Sequence, residues 1–246
     1  MKLKVLGTGN AFNQQSRMNS SYLVEVGDKN VLIDCGFTVP FALQKENISF
    51  STLDYILITH YHGDHFAGLS ALLLALKYIT PQEKKLTIIG PGSVMAKVKE
   101  LQKVLYSGTE KLLDELNLEF FSVDQKGGDY DLGDFKLSVL PMVHSDDAIP
   151  VGYIIQNQSY KLGFSGDTCW HEGVEKLIQK SDSIILECNF IERIGEGHIS
   201  VQELESSQVV LSNKSNIYLT HLYEGSSEQA LKLNYNVLRD GEDLVF

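Results

Sequence analysis

The chain has 246 residues, of which 43% are hydrophobic and 22% are charged, as in an ordinary globular protein. Its formal net charge is −11. A broad nucleic-acid surface is therefore not expected, because such surfaces gain affinity from Lys and Arg side chains that neutralise phosphates. A small anionic substrate held at one focused site is compatible with this charge.

No segment reaches the ~20 apolar residues that a membrane-spanning helix needs. The opening segment, MKLKVLGTGN, turns to Gly and Asn too early for a signal peptide. Three widely spaced cysteines, Cys35, Cys169 and Cys188, do not suggest a disulfide framework. We therefore expect a cytoplasmic protein without a membrane partner. Because we find no linker or low-complexity segment, we expect one domain over residues 1–246.

In the first half of the chain, residues 22–36 (YLVEVGDKNVLIDCG) predict two strands joined by a polar turn and followed by a Gly/Asp corner. Residues 55–60 (YILITH) predict a buried strand that ends in Thr-His. The next segment, residues 66–79, predicts a helix that is apolar on nearly all sides and therefore buried. Residues 93–108 predict an amphipathic helix that ends at Gly108.

The second half of the chain repeats this pattern. Residues 153–167 (YIIQNQSYKLGFSGD) predict a strand pair like that of 22–36, and residues 217–221 (IYLTH) again predict a buried strand that ends in Thr-His. Helices are predicted over three segments: residues 170–182, residues 200–213 with a capping box from Ser200 to Glu203, and residues 226–241. Two similar halves predict two mixed sheets that face each other, with helices outside and a site along one edge.

A cluster of metal-binding residue types follows the strand over 55–60. Residues two apart on an extended chain share a face, so His60 and His62 can bind one cation. Asp64 and His65 lie just beyond the strand and can turn towards a second cation. Imidazole is a good ligand for zinc, iron and manganese, and carboxylate favours harder ions. A hydrolytic centre with two metals needs further ligands.

Distant parts of the chain offer those ligands. His144, Asp167 and His221 each follow a predicted strand. With the first cluster they make seven donors at four strand ends. The seven donors could supply three ligands to each of two ions, with one further carboxylate shared between the ions.

The order H-x-H-x-D-H, a lone His, G-D-T and a strand-terminal T-H resembles the metallo-β-lactamase-fold hydrolases over the whole chain, from LGTGN through LIDCG to YLTH. The resemblance implies an α/β four-layer αββα sandwich. It implies that the first metal is held by His60, His62 and His144. The second metal would be held by Asp64, His65 and His221, with Asp167 bridging. Two divalent ions are expected, zinc first, with manganese or iron as alternatives.

Three shorter segments resemble the ribonuclease Z and phosphodiesterase branch of these hydrolases. RMNSS (residues 17–21) is similar to its Arg-x-x-Ser-Ser turn, and LECNF (residues 186–190) to its H-E-A-T-F segment, with Leu186 where that segment has histidine. GEGHIS (residues 195–200) is similar to its Gly-His-Ser-Thr loop, which makes His198 the expected additional catalytic histidine. His144 and Asp167 are only 23 positions apart (167 − 144), too few for the long transfer-RNA-binding arm of ribonuclease Z. Phosphodiesterases that act on small cyclic or nucleotide-like phosphates fit better.

The resemblance therefore implies hydrolysis of a small phosphodiester by metal-activated hydroxide. Asp64 would orient or deprotonate the nucleophile, and His198 would protonate the leaving group. Arg17 is a candidate for binding the phosphate, with a structural salt bridge as the alternative. Asp34 is expected to orient a ligand histidine, and His171 to be a surface or packing residue.

Several alternatives remain at this point. A thioester, lactone or β-lactam hydrolase could use the same ligands, and so could a ribonuclease Z-like RNA endonuclease. A di-iron redox protein and a ligand-binding module are the non-hydrolytic alternatives. A homodimer is possible, but no residue of the sequence demonstrates it.

Overall fold

The computed structural model describes residues 1–82, 84–192 and 197–246. The described residues form fourteen strands: β1 Lys2–Gly7, β2 Ser21–Val26, β3 Lys29–Ile33, β4 Tyr55–Leu57, β5 Leu86–Pro91, β6 Leu118–Val123, β7 Gly128–Asp131, β8 Lys136–Pro141, β9 Val151–Gln156, β10 Lys161–Phe164, β11 Ser183–Glu187, β12 Ile217–Thr220, β13 Asn236–Val237 and β14 Asp243–Val245. They also form nine α-helices: α1 Val39–Lys45, α2 Gly63–Phe66, α3 Gly68–Tyr78, α4 Val94–Leu105, α5 Leu112–Glu115, α6 Glu172–Lys180, α7 Val201–Ser206, α8 Gln208–Asn213 and α9 Ser226–Lys232.

The strands form two seven-stranded mixed sheets. The first has the order β14-β1-β2-β3-β4-β5-β6, and the second has the order β13-β12-β11-β10-β9-β8-β7. Strands β3 to β6 are parallel, as are β10 to β13. Because parallel strands end at the same edge of a sheet, the polar residues that follow β3, β4, β10, β11 and β12 come together there.

Three hydrophobic clusters separate four layers. The middle cluster lies between the sheets and includes Tyr22 of β2 and Phe164 of β10, whose ring centroids are 5.7 Å apart. A second cluster packs α1, α3 and α4 onto the outer face of the first sheet. A third packs α6 to α9 onto the outer face of the second sheet. This arrangement is the expected αββα sandwich, and the repeated strand pairs of the sequence occupy opposite sheets.

The buried helix predicted over 66–79 is confirmed over Gly68–Tyr78, although Tyr78 at its end is exposed. In α3, the side chains of Leu69, Leu72, Leu73 and Leu76 are all buried, because the helix contacts both α1 and α4. It follows the cluster of His60 to His65 directly, so its burial fixes that loop against the first sheet. None of the helices in the described part of the chain has both the length and the apolar run that crossing a bilayer requires.

Two helix predictions were wrong in extent. The helix predicted over 226–241 ends at Lys232, because Asn234 adopts a left-handed conformation with φ of 61° and turns the chain. Tyr235 then points into the core, and residues 236–237 form β13. The helix predicted over 200–213 is divided at Ser207, whose side chain caps α8 by accepting a hydrogen bond from the backbone N–H of Val210. The capping box of Ser200 and Glu203 is confirmed at the start of α7.

Candidate metal centre

The seven predicted donors converge at one edge of the two sheets. His60 and His62 follow β4, and Asp64 and His65 lie in the short helix α2. From the second sheet, Asp167 follows β10 and His221 follows β12, while His144 follows β8. The cluster thus joins both sheets, with four donors from the first and three from the second.

Left-handed backbone turns aim several of these side chains inward. Asp34 after β3 and His221 after β12 both have φ of 59°, which is unfavourable for residues with a Cβ atom. Gly166, just before Asp167, has φ of 58°. A Cβ atom at position 166 would lie 2.8 Å from Cβ of Thr59, so close packing as well as conformation requires glycine here. These turns let a strand end and its polar side chain face the gap between the sheets.

The donors form two groups that match the two predicted sets. In the first, the ligand atoms of His60, His62 and His144 lie within 4.8 Å of one another, and Nε2 of His144 is 3.1 Å from Nδ1 of His62. In the second, the ligand atoms of Asp64, His65, Asp167 and His221 lie within 4.8 Å of one another.

Asp167 lies between the two groups. Its Oδ1 is 3.3 Å from Nε2 of His65 in the second group, and its Oδ2 is 3.8 Å from Nε2 of His60 in the first. Oδ2 is also 3.4 Å from Nε2 of His221, so both oxygens lie near the second group and Oδ2 lies near the first group as well. This is the placement that the sequence predicts for the shared ligand.

The spacing of the donors fits a cation. Nε2 of His65 is 3.4 Å from Oδ2 of Asp64, and Nε2 of His221 is 3.4 Å from Oδ2 of Asp167. Two ligands bound tetrahedrally to zinc at 2.0–2.1 Å are separated by about 3.3 Å. The donors thus stand at the separation that a shared ion produces.

Unsatisfied polar atoms give a second test of this fit. Among the described residues, the buried side-chain atoms without a hydrogen-bond partner include Nε2 of His60, Nε2 of His65 and Oδ1 of Asp167. Buried polar atoms are nearly always paired, and an ion can take the place of the missing partner. Three such atoms in one cluster therefore support binding of a cation by these residues.

Burial and neighbouring charges shift the pKa values of the donor side chains, some upward and some downward. Burial lowers the pKa of His60 well below its usual value. Burial also disfavours the charged form of His65, but the carboxylates of Asp167 and Asp64 raise its pKa well above the usual value. For Asp167, burial would raise the pKa, whereas His221 and His65 hold it well below its usual range. Asp167 is therefore ionised and available as an anionic ligand.

Residues around the donors fix their orientation. Oδ2 of Asp34 accepts a hydrogen bond of 2.7 Å from Nδ1 of His65, which leaves Nε2 facing the cluster. The same carboxylate accepts hydrogen bonds from the backbone N–H and the hydroxyl of Thr59 at 2.7 and 2.8 Å. Nδ1 of His144 donates to the carbonyl oxygen of Gly197 at 2.6 Å. The expected orienting role of Asp34 thus has its geometric basis.

His198 lies beside the donors. Its ring centroid is 4.8 Å from that of His144 and 5.3 Å from that of His221. Nδ1 of His198 donates to Oε1 of Glu187 at 2.9 Å. Burial lowers the pKa of His198, but the Glu187 carboxylate outweighs burial and raises it to about 9. The Glu187 carboxylate thus favours the protonated ring, the form that can give up a proton. Gly195 and Glu196, which belong to the same predicted loop, lie outside the described residues.

Glu187 is the residue that the sequence analysis quoted without assigning a role. It is the last residue of β11 and is 1% exposed. Its carboxylate accepts hydrogen bonds from the backbone N–H groups of Thr168, Asn189 and Ile199 as well as from His198. The signal was its position at a strand end, like that of Asp167.

Arg17 and His171 are placed away from the seven donors. Nη2 of Arg17 donates to Oγ of Ser227 at 2.7 Å and to Oε1 of Gln15 at 3.0 Å. Arg17 lines a groove to which none of the seven donors contributes, so its contact with substrate stays a prediction. His171 caps α6 through Nδ1, which accepts from the backbone N–H of Gly173. This agrees with a structural role for His171.

Comparison with known proteins identifies the family. The family model described as "Anti-Pycsar protein Apyc1" matches residues 1–239. The chain belongs to the anti-Pycsar protein Apyc1 family. The relative from Bacillus phage 010DV004 is 28% identical over 235 residues, which cover 90% of this chain and 88% of the relative. Ribonuclease Z of Borrelia duttonii (strain Ly) is 22% identical over 288 aligned residues, which cover 98% of this chain and 90% of that protein.

Solved structures confirm the fold. The metallo-β-lactamase fold protein YhfI from Bacillus subtilis superposes with a TM-score of 0.78 at 22% identity, covering 99% of this chain and 98% of that one. The short form of human tRNase Z superposes with a TM-score of 0.74 at 20% identity, covering 100% and 99% of the two chains. The metallo-β-lactamase fold is thus confirmed, and ribonuclease Z is among the relatives, as the sequence motifs predicted.

Proposed function

We propose that the protein is a hydrolase with two divalent metal ions that cleaves a small phosphodiester, cyclic or nucleotide-like. The observation that carries this proposal is the cluster of seven donors beside His198, which is hydrogen-bonded to Glu187. Zinc is the proposed metal, and manganese and iron accept the same donors. We further propose that this hydrolysis underlies the anti-Pycsar activity after which the family is named.

The proposed roles follow from the geometry. His60, His62 and His144 would hold one ion, and Asp64, His65 and His221 the other, with Asp167 between them. When bound, two such ions supply Lewis acidity towards phosphoryl oxygens and a water of lowered pKa. Asp64 would orient this water and accept its proton, while His198 would donate a proton to the leaving oxygen. Glu187 holds the ring of His198 in place for that transfer.

Two features favour a small substrate over folded RNA. The segment between His144 and Asp167 forms the pair β9 and β10 within the second sheet rather than an extended arm. In addition, a groove of about 520 Å³ opens beside His144 and is lined by Lys126, Val143 and Ile149. Sites for small ligands have volumes of roughly 300–1,000 Å³. Lys126 would face the substrate's negative charge.

The first experiment is elemental analysis of the purified protein together with turnover of bis-p-nitrophenyl phosphate, cyclic nucleotides, a thioester and a lactone. We expect two metal equivalents per chain and turnover of phosphodiesters. We also expect His198→Ala to lose most activity while it retains both metals, since His198 is not a proposed ligand. Turnover of the thioester or lactone alone would show that the enzyme does not cleave phosphodiesters. Absence of metal after reconstitution would refute the metal centre.

A further inference from the structure

A second surface carries unpaired positive charge. In a protein whose net charge is −11, three cations, Arg17, Lys45 and Arg239, line one groove of about 460 Å³. Within the described residues, no carboxylate oxygen lies within 4.0 Å of a nitrogen of these three side chains. Elsewhere, many lysines form ion pairs, such as Lys84 with Asp54 at 2.7 Å. Three cations without ion pairs in one groove would attract an anion.

The acidic residues of this groove offset its positive charge only in part. Burial lowers the pKa of Arg17, and the negative charge of Asp240 opposes this shift. Oδ1 of Asp240 accepts hydrogen bonds from the backbone N–H and the hydroxyl of Thr8, at 2.9 and 2.7 Å. Its Oδ2 accepts from the backbone N–H of Met18 at 2.7 Å. Asp240 thus anchors the loop that carries Arg17. The other acidic residue, Glu228, is exposed at the start of α9. The groove has three cations against two carboxylates, one of which is already engaged.

The guanidinium of Arg17 is held in place by hydrogen bonds at one of its nitrogens. Its Nη2 is fixed by Ser227 and Gln15, whereas its Nη1 is buried and has no hydrogen-bond partner among the described residues. A guanidinium binds phosphate and carboxylate through neighbouring N–H groups. Because Nη1 is closed to solvent, Arg17 contributes its fixed positive charge to the groove, and the exposed Lys45 and Arg239 supply the N–H groups that an oxyanion can reach.

The opposite wall of the groove is apolar. It includes Leu231, which is 47% exposed, together with Val237 and Leu238. The volume is that of a site for a small ligand. A ligand that fits both walls has a phosphate at one end and an apolar or aromatic group at the other. A nucleoside monophosphate has this chemistry.

We propose that this groove binds a small organic phosphate, with its phosphate at Arg17, Lys45 and Arg239 and its apolar part against Leu231 and Val237. The site is separate from the metal centre, since none of the seven donors lines it. The two are nevertheless adjacent: Thr8 lines the groove, and its carbonyl oxygen accepts the backbone N–H of His221 at 3.0 Å.

The test is an NMR titration of the full-length, ¹⁵N-labelled protein with adenosine 5′-monophosphate and, separately, with inorganic phosphate. We expect the nucleotide to shift the amide signals of Ser227, Leu231 and Arg239. We also expect it to bind at least about tenfold more tightly than inorganic phosphate, because the apolar wall adds contact area. Equal affinity for the two probes would show an adventitious anion only and would overturn the proposal.

Substitutions locate the site independently of catalysis. Lys45 and Arg239 are exposed, so K45Q and R239Q should leave the fold intact, which circular dichroism verifies. Together they should weaken nucleotide binding by about tenfold or more, since each removes a charge-assisted contact. Lys99 is an exposed lysine of α4 outside the groove, and K99Q is the matched control that should leave affinity unchanged. Unchanged affinity in the double variant, or shifts confined to residues around His60 and His144, would refute the groove as the binding site.

Discussion

Glu187 and His198 are joined by a hydrogen bond of 2.9 Å between Oε1 and Nδ1, and both lie next to the seven donors. Glu187 is held in turn by three backbone N–H groups, so its carboxylate cannot rotate freely. The bond fixes which ring nitrogen of His198 faces away from Glu187. A general acid must lie within hydrogen-bonding distance of the leaving group, so the role proposed for His198 depends on this orientation of its ring.

We therefore expect Glu187→Gln to lower kcat by roughly 10- to 100-fold, as loss of an orienting carboxylate commonly does. The amide keeps the shape of the side chain but loses the charge that holds His198 protonated. Metal content should stay at the wild-type level, which elemental analysis checks beside the rate on bis-p-nitrophenyl phosphate. Glu224→Gln, the same change at an exposed position, is the control. Equal rates in the two variants would contradict the positioning role of Glu187.

Asp34→Asn should weaken the metal centre without touching a proposed ligand. The Asp34 carboxylate accepts three hydrogen bonds in a buried site, one of them from His65. An amide in its place should cost about 1–3 kcal/mol of unfolding free energy and about 10- to 100-fold in metal affinity. Urea unfolding and competition with a zinc indicator measure the two effects. The control is Asp28→Asn, in the exposed turn between β2 and β3, which should change neither the unfolding free energy nor the metal affinity. If D34N had the same stability and metal affinity as this control, Asp34 would not orient His65.

Gly166→Ala should destabilise the protein more than Gly27→Ala. Both glycines have positive φ, 58° and 62°, so alanine should cost about 1–2 kcal/mol at each position. At position 27 no atom lies within 4 Å of the added Cβ, whereas at position 166 Thr59 lies at 2.8 Å. Overpacking should therefore add about 1–3 kcal/mol at position 166 alone. Chemical denaturation of the two variants gives the difference directly, and equal losses would show that Thr59 moves aside without cost.

Removal of metal should lower stability as well as activity. Because each ion is expected to bind only the folded donor set, zinc at 100 times its Kd should stabilise the chelator-treated protein by about 2.7 kcal/mol for each of the two sites. Thermal unfolding with and without zinc measures this gain. His60→Gln should remove about half of the response, since it alters only the first donor set, while His171→Gln should retain all of it, because His171 caps α6 outside the cluster. A similar zinc response in both variants would place the bound ion elsewhere.

The sequence predicted that the seven donors lie near strand ends, and the structure brings them together. His60, Asp167 and His221 follow strands that belong to parallel pairs, whose ends meet at one edge. His144 instead follows the antiparallel strand β8.

Prediction from the sequence failed where the local pattern of apolar residues favours one structure and tertiary packing favours another. The apolar spacing over 226–241 suggested a helix, but Asn234 turns the chain and Tyr235 enters the core. The role of Glu187 was missed, since its position at a strand end does not show that its partner is His198, 11 positions further along the chain.

The donor set is divided between the two sheets, four residues on one and three on the other, and Asp167 stands between them. Neither sheet could hold the complete set if the two were pulled apart. An ion bound here would therefore act as a reversible cross-link between the halves of the sandwich, fastening them at the one edge where polar groups replace the apolar core. Its departure would leave that edge held by hydrogen bonds across the gap, such as those of His221 with Thr8 and of Tyr22 with Thr220. Under mechanical load or mild denaturant, this edge is where the sandwich would first open.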